Sequence, residues 1–421
     1  MPSNNKTSKV GYTEKSTMPP LGIISIGAYL QMHGYSVEYI DLLSKKMTLQ
    51  EFKDSVLEIN PDIVGISAYT ETYSNVITIS KIIKDICNGV PVVLGGPHVS
   101  FLSEEALANQ SVDYVIRAEG ETTFVELLET LNYGTIPFEK ITGLSYKNEN
   151  CDPINNEERK FISNLDALPW VELEENHKKN YYIKQLFITS RGCPGQCIYC
   201  ASASLAGRKY RARSAESVFS EIFYKAKYKN EKYFAFLDDT FTADKKRLIK
   251  FCNYVKESNL EITWRCDSRA DILTYEMVDM MKEVGCIAVH IGIESGCQNI
   301  LDEINKNISL EKTEKLIKYI TSKGIDVMCS FIVGHHCDTH ESVRKTIDLA
   351  NRIRDEYKAV VALSANTPFP GTELYKNMDE LGVKLEIKNW SSFDLVQVII
   401  STKNLTRSEI QSYLFQTQNK S

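Results

Sequence analysis

The sequence predicts an α/β protein of two units: an N-terminal doubly wound parallel sheet, then a partial (β/α)6 barrel. Three observations carry this reading. Short apolar runs alternate with helical segments along most of the 421-residue chain, the pattern of parallel sheets flanked by helices. Glycines and charged residues recur just after those apolar runs, at the strand ends where such folds place their chemistry. Three of the eleven cysteines fall within Arg191-Gly192-Cys193-Pro194-Gly195-Gln196-Cys197-Ile198-Tyr199-Cys200, directly after the run Leu186-Phe187-Ile188-Thr189.

The first unit is read in order. Pro19-Pro20 opens a helix from Leu21 to Leu30, stopped by Gly34, and Ser36–Ile40 reads as a strand. Thr48 is placed to N-cap a helix ending at Ile59. Asp62–Ser67 is an apolar strand, Tyr73–Cys87 a helix, and Val92-Val93-Leu94-Gly95-Gly96 a strand ending in glycines. Val112–Ile116 and a helix over Glu121–Leu131 complete a Rossmann-like series. No apolar run ahead of Pro19 reads as a strand, whereas the domain resemblance set out below implies one there. Lys9-Val10-Gly11-Tyr12 is the one short candidate, so a truncated domain or a start further upstream is expected.

Residues 136–182 read as a linker. A hairpin-like pair, Ile141–Tyr146 with Phe161-Ile162, flanks a polar stretch, and Leu168-Pro169-Trp170 leads onward. The second unit, 183–385, has six strand candidates: Leu186–Thr189, Tyr233–Leu237, Ile262–Arg265, Ala288–Gly292, Val327–Ile332 and Val360–Ser364. Helical segments such as Ser214–Tyr228 separate them. Residues 386–421 form a short C-terminal extension. There Trp390 and a strand Leu395–Ile400 pack on the barrel, and Thr406 starts a last helix. The N-terminal domain itself is taken as 1–135.

Composition narrows the function classes. The chain is 43% hydrophobic and 25% charged with net charge -6, which gives no electrostatic footprint for nucleic acid. No apolar run is long enough for a membrane span. Cysteines used as thiolate ligands and small buried residues, rather than as a disulfide framework, point to a reducing cytoplasm.

Three close thiolates favour iron–sulfur or zinc ligation. Zinc wants a fourth Cys or His at short spacing; Cys151 and Cys252 are remote, and His177 is the nearest histidine. Three thiolates on a 4Fe-4S cluster leave one iron open for a ligand. The Cys-x3-Cys-x2-Cys spacing, with Tyr199 before the third cysteine, resembles the radical S-adenosylmethionine (SAM) enzymes. That resemblance implies Cys193, Cys197 and Cys200 as cluster ligands. It also implies SAM chelated to the open iron and cleaved to a 5'-deoxyadenosyl radical, with electrons from an external flavodoxin or ferredoxin.

The later strand ends strengthen the likeness: Asp238-Asp239-Thr240-Phe241, Arg265-Cys266-Asp267, Gly292-Ile293-Glu294-Ser295-Gly296 and Asn366-Thr367-Pro368-Phe369-Pro370-Gly371. By resemblance, Tyr199, Asp238, Asp239, Arg265, Glu294, Ser295 and Pro368 are expected around SAM. The fifth strand end departs, with Gly334-His335-His336-Cys337-Asp338-Thr339 where the family has Gly-x-Pro-Gly-Glu-Thr. Its histidines also allow a metal-site reading or a substrate acid/base role.

Upstream, Pro19-Pro20-Leu21-Gly22, Ser67-Ala68-Tyr69-Thr70, Gly95-Gly96-Pro97-His98 and Glu119-Gly120-Glu121 together resemble the cobalamin-binding domain that precedes many radical SAM cores. Ser67, Tyr69, Gly95, Gly96, His98, Glu119 and Gly120 are the implied cobalamin neighbours. The lower-ligand motif Asp-x-His-x-x-Gly is absent, so His98 is expected beside the corrin rather than on cobalt. The resemblance implies radical methylation of an unactivated carbon in a small-molecule or peptide substrate. A cobalamin-dependent cyclase or rearrangement enzyme is the alternative, and a degenerate cofactor-binding protein the third reading.

Overall fold

The computed structural model describes residues 18–172 and 181–418. In the N-terminal unit β1 (Val64–Ser67), β2 (Val92–Gly95) and β3 (Tyr114–Ile116) pair in parallel, in that order. Helices cover both faces. Phe52, Val56, Tyr73, Val76 and Ile83 pack under Val92 and Leu94 on one side. Leu127 and Leu144 meet Val93 and Ile116 on the other. Burial from both faces is why β2 reads as an unbroken apolar run. Thr48 caps its helix, Leu49–Ile59, through a capping box with Glu51.

Two expectations change here. Residues 36–40 form no strand: β1 is the edge of its sheet, and no described strand lies between it and this segment. A strand without a ladder partner leaves its backbone groups unpaired. The segment is held by side chains instead, with the Tyr39 ring filling the space beside Gly27, where a Cβ would lie 2.1 Å from its hydroxyl. Lys9–Tyr12, the substitute candidate, lies outside the described residues.

The second change is in the expected linker. β4 (Leu144–Lys147) and β5 (Pro153–Asn155) add an antiparallel hairpin to β3. The partner of β4 is therefore not Phe161-Ile162. Asn148 sets the turn, its side-chain oxygen accepting from the N–H groups of Asn150 and Asp152. Phe161 lies instead beneath the Arg211 guanidinium, 4.8 Å away.

The second unit contains the six expected strands in the expected order: β6 (Leu186–Phe187), then, after the two-residue pair β7 (Ser190–Arg191) and β8 (Arg211–Ala212), β9 (Tyr233–Phe236), β10 (Thr263–Ser268), β11 (Cys286–Glu294), β12 (Asp326–Val333) and β13 (Val360–Ala365). The sheet runs β6-β9-β10-β11-β12-β13 with every neighbouring pair parallel. β6 and β13 do not pair, so the barrel is open. Phe236, Trp264, Val289, Ile291 and Phe331 pack beneath the outer helices. Alternate residues, including Arg265, Asp267, His290, Gly292 and Ser330, face inward.

The C-terminal residues depart from expectation. Only Ile400 of the run Leu395–Ile400 is in a strand: β15 (Ile400–Ser401) pairs with β14 (Lys384–Leu385). Asp394 turns the preceding backbone by accepting from the N–H groups of Val396 and Gln397. Trp390 packs on the second unit as expected, against the cluster of Leu374, Val383 and Phe393, and also reaches the N-terminal unit, with its indole N–H 2.8 Å from Glu105 and its ring 5.0 Å from that of His98. The last helix, Arg407–Gln418, buries Ile410 and Leu414 against Val333 and Ala365. No helix among the described residues is long and apolar enough to cross a membrane.

Candidate active site between the two sheets

The cysteine loop follows β7. Gly192 makes the turn possible: its φ is +82°, and a Cβ there would lie 2.5 Å from the Lys209 carbonyl oxygen. Cys193, Cys197 and Cys200 are free thiols, each beside a hydrogen-bond donor. Gly195 N–H points to the Cys193 sulfur at 3.4 Å, and Arg269 Nη1 to the Cys197 sulfur at 3.7 Å. Cys200 begins the short helix Ala201–Leu205. Burial pushes its thiol up, while the N–H groups of Ala203 and Ser202 pull it down. Burial works against the charge on Arg269, but Asp271 and the Cys197 sulfur outweigh it and hold the guanidinium protonated.

Sulfurs held by N–H donors and a nearby cation suit thiolates on an anionic cluster, whose potential such contacts tune. Among the described residues, no group of three or more His, Cys, Asp or Glu side chains could hold a single metal ion.

The strand-end residues fall into two groups. Glu294 ends β11 at a register shift with φ +74°, a strained conformation for a non-glycine residue. Its carboxylate pairs with Lys306 at 2.8 Å. Asp239 lies open to the inter-sheet cavity, whose walls push its carboxyl up while Ser202 lowers it. Tyr199 packs 5.6 Å from the buried ring of His335, and burial raises its phenol further. Pro368 is buried in the loop after β13, beside Asn366, which donates to the Gly334 carbonyl.

Three other expected SAM neighbours have these settings. Asp238 is fully buried and accepts from Thr189, fastening the end of β6 to that of β9. The Ser295 hydroxyl is fully buried against Thr346 and accepts from Cys297 N–H. Arg265 does not close its strand: β10 runs on to Ser268, leaving Arg265 mid-strand on the inner face.

A cavity of about 570 Å³ separates the C-terminal ends of the two sheets, within the usual range for cofactor sites. Ser67, Tyr69, Gly95, Gly96, Glu119 and Gly120 line one wall. Ile188, Gly192, Ser202, Leu237 and Asp239 line the other. Gly96 has φ +99°, and a Cβ on it would meet the Ala68 backbone at 3.0 Å. The bare glycine backbone and apolar walls fit a large flat ring such as a corrin.

His98 is not among the lining residues. It is 1% exposed, stacked on Tyr73 at 4.1 Å and bonded to Thr70 at 3.3 Å. Burial pushes its pKa down to about 4. It turns away because its helix, Pro97–Phe101, starts at the glycine turn and packs its side chain into the domain core.

Two family models match in tandem: the B12 binding domain over residues 8–128 and the radical SAM superfamily over residues 187–350. An uncharacterized methyltransferase of Pyrococcus horikoshii is 33% identical over 404 residues, 95% of this chain and 86% of the relative. The chain belongs to the cobalamin-dependent radical SAM family. The anaerobic magnesium-protoporphyrin IX monomethyl ester cyclase of Rubrivivax gelatinosus is 27% identical, covering 93% of this chain and 71% of that enzyme. The radical SAM methyltransferase TsrM of Kitasatospora setae, solved with cobalamin and a [4Fe-4S] cluster, shares the fold. Its TM-score is 0.74 at 16% identity, over 94% of this chain and 79% of that one.

As a cobalamin-dependent radical SAM enzyme, the chain uses a 4Fe-4S cluster, SAM and cobalamin. Several residues around this site were not singled out from sequence. Arg269 and Lys306 reach Cys197 and Glu294 from distant segments. His335, which the sequence did single out, is buried with its Nε2 unpartnered. Arg191 joins the two units through Glu119 and Glu121. Only Arg269 had a sequence cue, the Arg-x-Asp pairing with Asp271 just after a strand.

Proposed function

We propose that the chain is a cobalamin-dependent radical SAM methyltransferase acting on an unactivated carbon of a small-molecule or peptide substrate. The observation that carries this is the shared cavity. One wall comes from the glycine-rich strand ends of the first sheet, and the other reaches the cysteine loop through Gly192 and Ser202. When bound, the cluster and SAM supply radical generation, and cobalamin supplies a methyl carrier.

In this reading Cys193, Cys197 and Cys200 hold the cluster, and Arg269 offsets its negative charge. The Glu294–Lys306 pair positions the SAM end of the site. Gly95, Gly96 and Gly120 let the first sheet come close to the corrin, with Ser67, Tyr69 and Glu119 around it. Asp239 stands between the two walls. Enclosure by both units keeps water from the reacting atoms and fixes their separation. A reducing cytoplasm and an electron donor of the flavodoxin or ferredoxin class suit this chemistry.

The likeness to the cyclase favours one second reading: the same cofactors used for ring closure without methyl transfer. Incubation with methyl-deuterated SAM and candidate substrates, followed by mass spectrometry, separates the two. Methyl transfer adds a deuterated methyl to the product. An oxidised or isomeric product without label would overturn methyl transfer and support the cyclase reading.

A further inference from the structure

The outer face of the six-stranded sheet is covered by helices; the inner face is packed at β6 and β9, where Ala235 is buried with Leu21, but partly open over β10 to β13. Met328 and Val360 are 39% and 61% exposed there, and Ala288 and Ala362 keep that part of the face largely apolar. Three polar side chains from neighbouring strands meet within it. His290 on β11 is level with Asp267 on β10 and with Met328 on β12. Its Nδ1 lies 3.5 Å from Asp267 Oδ2, and its Nε2 lies 3.1 Å from Ser330 Oγ.

The partners' chemistry orders the hydrogens. An ionised carboxylate can only accept, so it favours the tautomer with hydrogen on Nδ1. Nε2 is then an acceptor, and the Ser330 hydroxyl must donate to it. That leaves the Ser330 oxygen with free lone pairs toward the open face: an acceptor whose own hydrogen is already used. Arg265, next along the inner face of β10, makes no ion pair with Asp267, so the carboxylate remains directed at His290. A trio serving only the fold would be covered, whereas the His290 and Asp267 side chains are 34% and 39% exposed.

We propose that Ser330, set by His290 and Asp267, is a substrate subsite that accepts a hydrogen bond from a hydroxyl or N–H on an otherwise apolar molecule. Ser330 touches the substrate; His290 and Asp267 are positioning residues. This rests on reading the inner face as the substrate side of the radical SAM core. His290 stands four residues before Glu294 on β11, ~13 Å at ~3.3 Å per strand residue, so the substrate is elongated, with its donor remote from the SAM end.

The test uses isomeric probes on the holoenzyme loaded with cluster, cobalamin and SAM and labelled with 15N-histidine. Hexan-1-ol carries a donor; di-n-propyl ether has the same formula and none. Hexan-1-ol is expected to shift the His290 Nε2 resonance saturably, with that resonance identified by its loss in H290Q. The ether at equal concentration should leave it unmoved. S330A should weaken the hexan-1-ol response at least about tenfold, and S330T should restore it. D267N should raise the population of the Nε2–H tautomer.

An equal response to the ether, no response to the alcohol, or an unweakened response in S330A would overturn the subsite. Iron content and Tm of each variant report folding. Formation of 5'-deoxyadenosine by the wild-type enzyme is measured alongside. Its absence would reject the radical SAM reading, whereas its presence with a failed probe response rejects the subsite alone.

Discussion

Arg191 Nη1 lies 2.9 Å from Glu119 Oε1, so the residue that opens the cysteine loop is bonded to the strand-end loop of the other sheet. Its Nη2 reaches Glu121 at 2.5 Å, and Arg211 shares Glu119 at 2.9 Å. Burial opposes the charge on Arg191, but Glu121 and then Glu119 more than offset this. Glu119, expected beside the corrin, thus lines the cavity while also clamping the two units together.

Breaking one side of a buried ion pair leaves the other charge unpaired and costs about 3–5 kcal/mol. Arg191→Ala should therefore lower stability by about 3 kcal/mol and weaken cobalamin retention. Arg191→Lys keeps charge but not the two-pronged geometry, and should fall between. Thermal unfolding and the corrinoid spectrum after gel filtration measure this. A loss under about 1 kcal/mol with full retention would mean the clamp contributes nothing.

Arg269 places positive charge at the Cys197 sulfur. A cation beside a cluster favours the reduced, more negative state. Arg269→Gln should lower the cluster potential by tens of millivolts, read by redox titration with EPR. An unchanged potential at full iron loading would remove Arg269 from cluster tuning.

Gly292 faces inward beside the Glu294–Lys306 pair. A Cβ there would sit 2.3 Å from Glu294 Oε1 and 3.0 Å from Lys306 Nζ. Gly292→Ala should displace that pair and raise the Kd for SAM about tenfold, a loss of about 1.4 kcal/mol, with cluster content unchanged. Equilibrium dialysis with labelled SAM checks this. Unaltered affinity would take the Glu294–Lys306 pair out of SAM binding.

His98 is buried and neutral, its pKa pushed down from 6.5 to about 4 by burial. The unfolded chain therefore binds the extra proton between pH 6.5 and 4, and stability rises with pH through that window. The contribution is fully present above pH 6.5 and is lost as pH falls toward 4; it amounts to about 3 kcal/mol at most. His98→Phe should flatten the fall in Tm between those pH values. The wild-type slope persisting in the variant would assign the effect to other groups.

Much of this was legible in the sequence because it is local. Strand candidates on β9 to β13 are apolar runs between turn residues, and the cysteine spacing is complete within one loop. Residues 36–40 look like a strand by composition, but ladder pairing depends on a neighbour. Ser295 and Asp238 read as ligand contacts because they end strands; only the packing reveals Thr346 and Thr189 as their partners. The Asp267–His290–Ser330 array was hidden for the same reason, since each member sits on a different strand. Trp390 reads as a barrel residue by its place in the chain and does pack against Leu374 and Val383, but its contacts with His98 and Glu105 on the other unit depend on the tertiary fold.

The most direct measurement is on the cysteine loop. Wild-type protein and the Cys193→Ala, Cys197→Ala and Cys200→Ala variants are reconstituted anaerobically, then assayed for iron, sulfide and 5'-deoxyadenosine released from SAM. The expected result is a loaded wild type that cleaves SAM, with cluster and cleavage lost together in each variant. A full cluster in any variant, or no cleavage by loaded wild type, would contradict the radical SAM assignment.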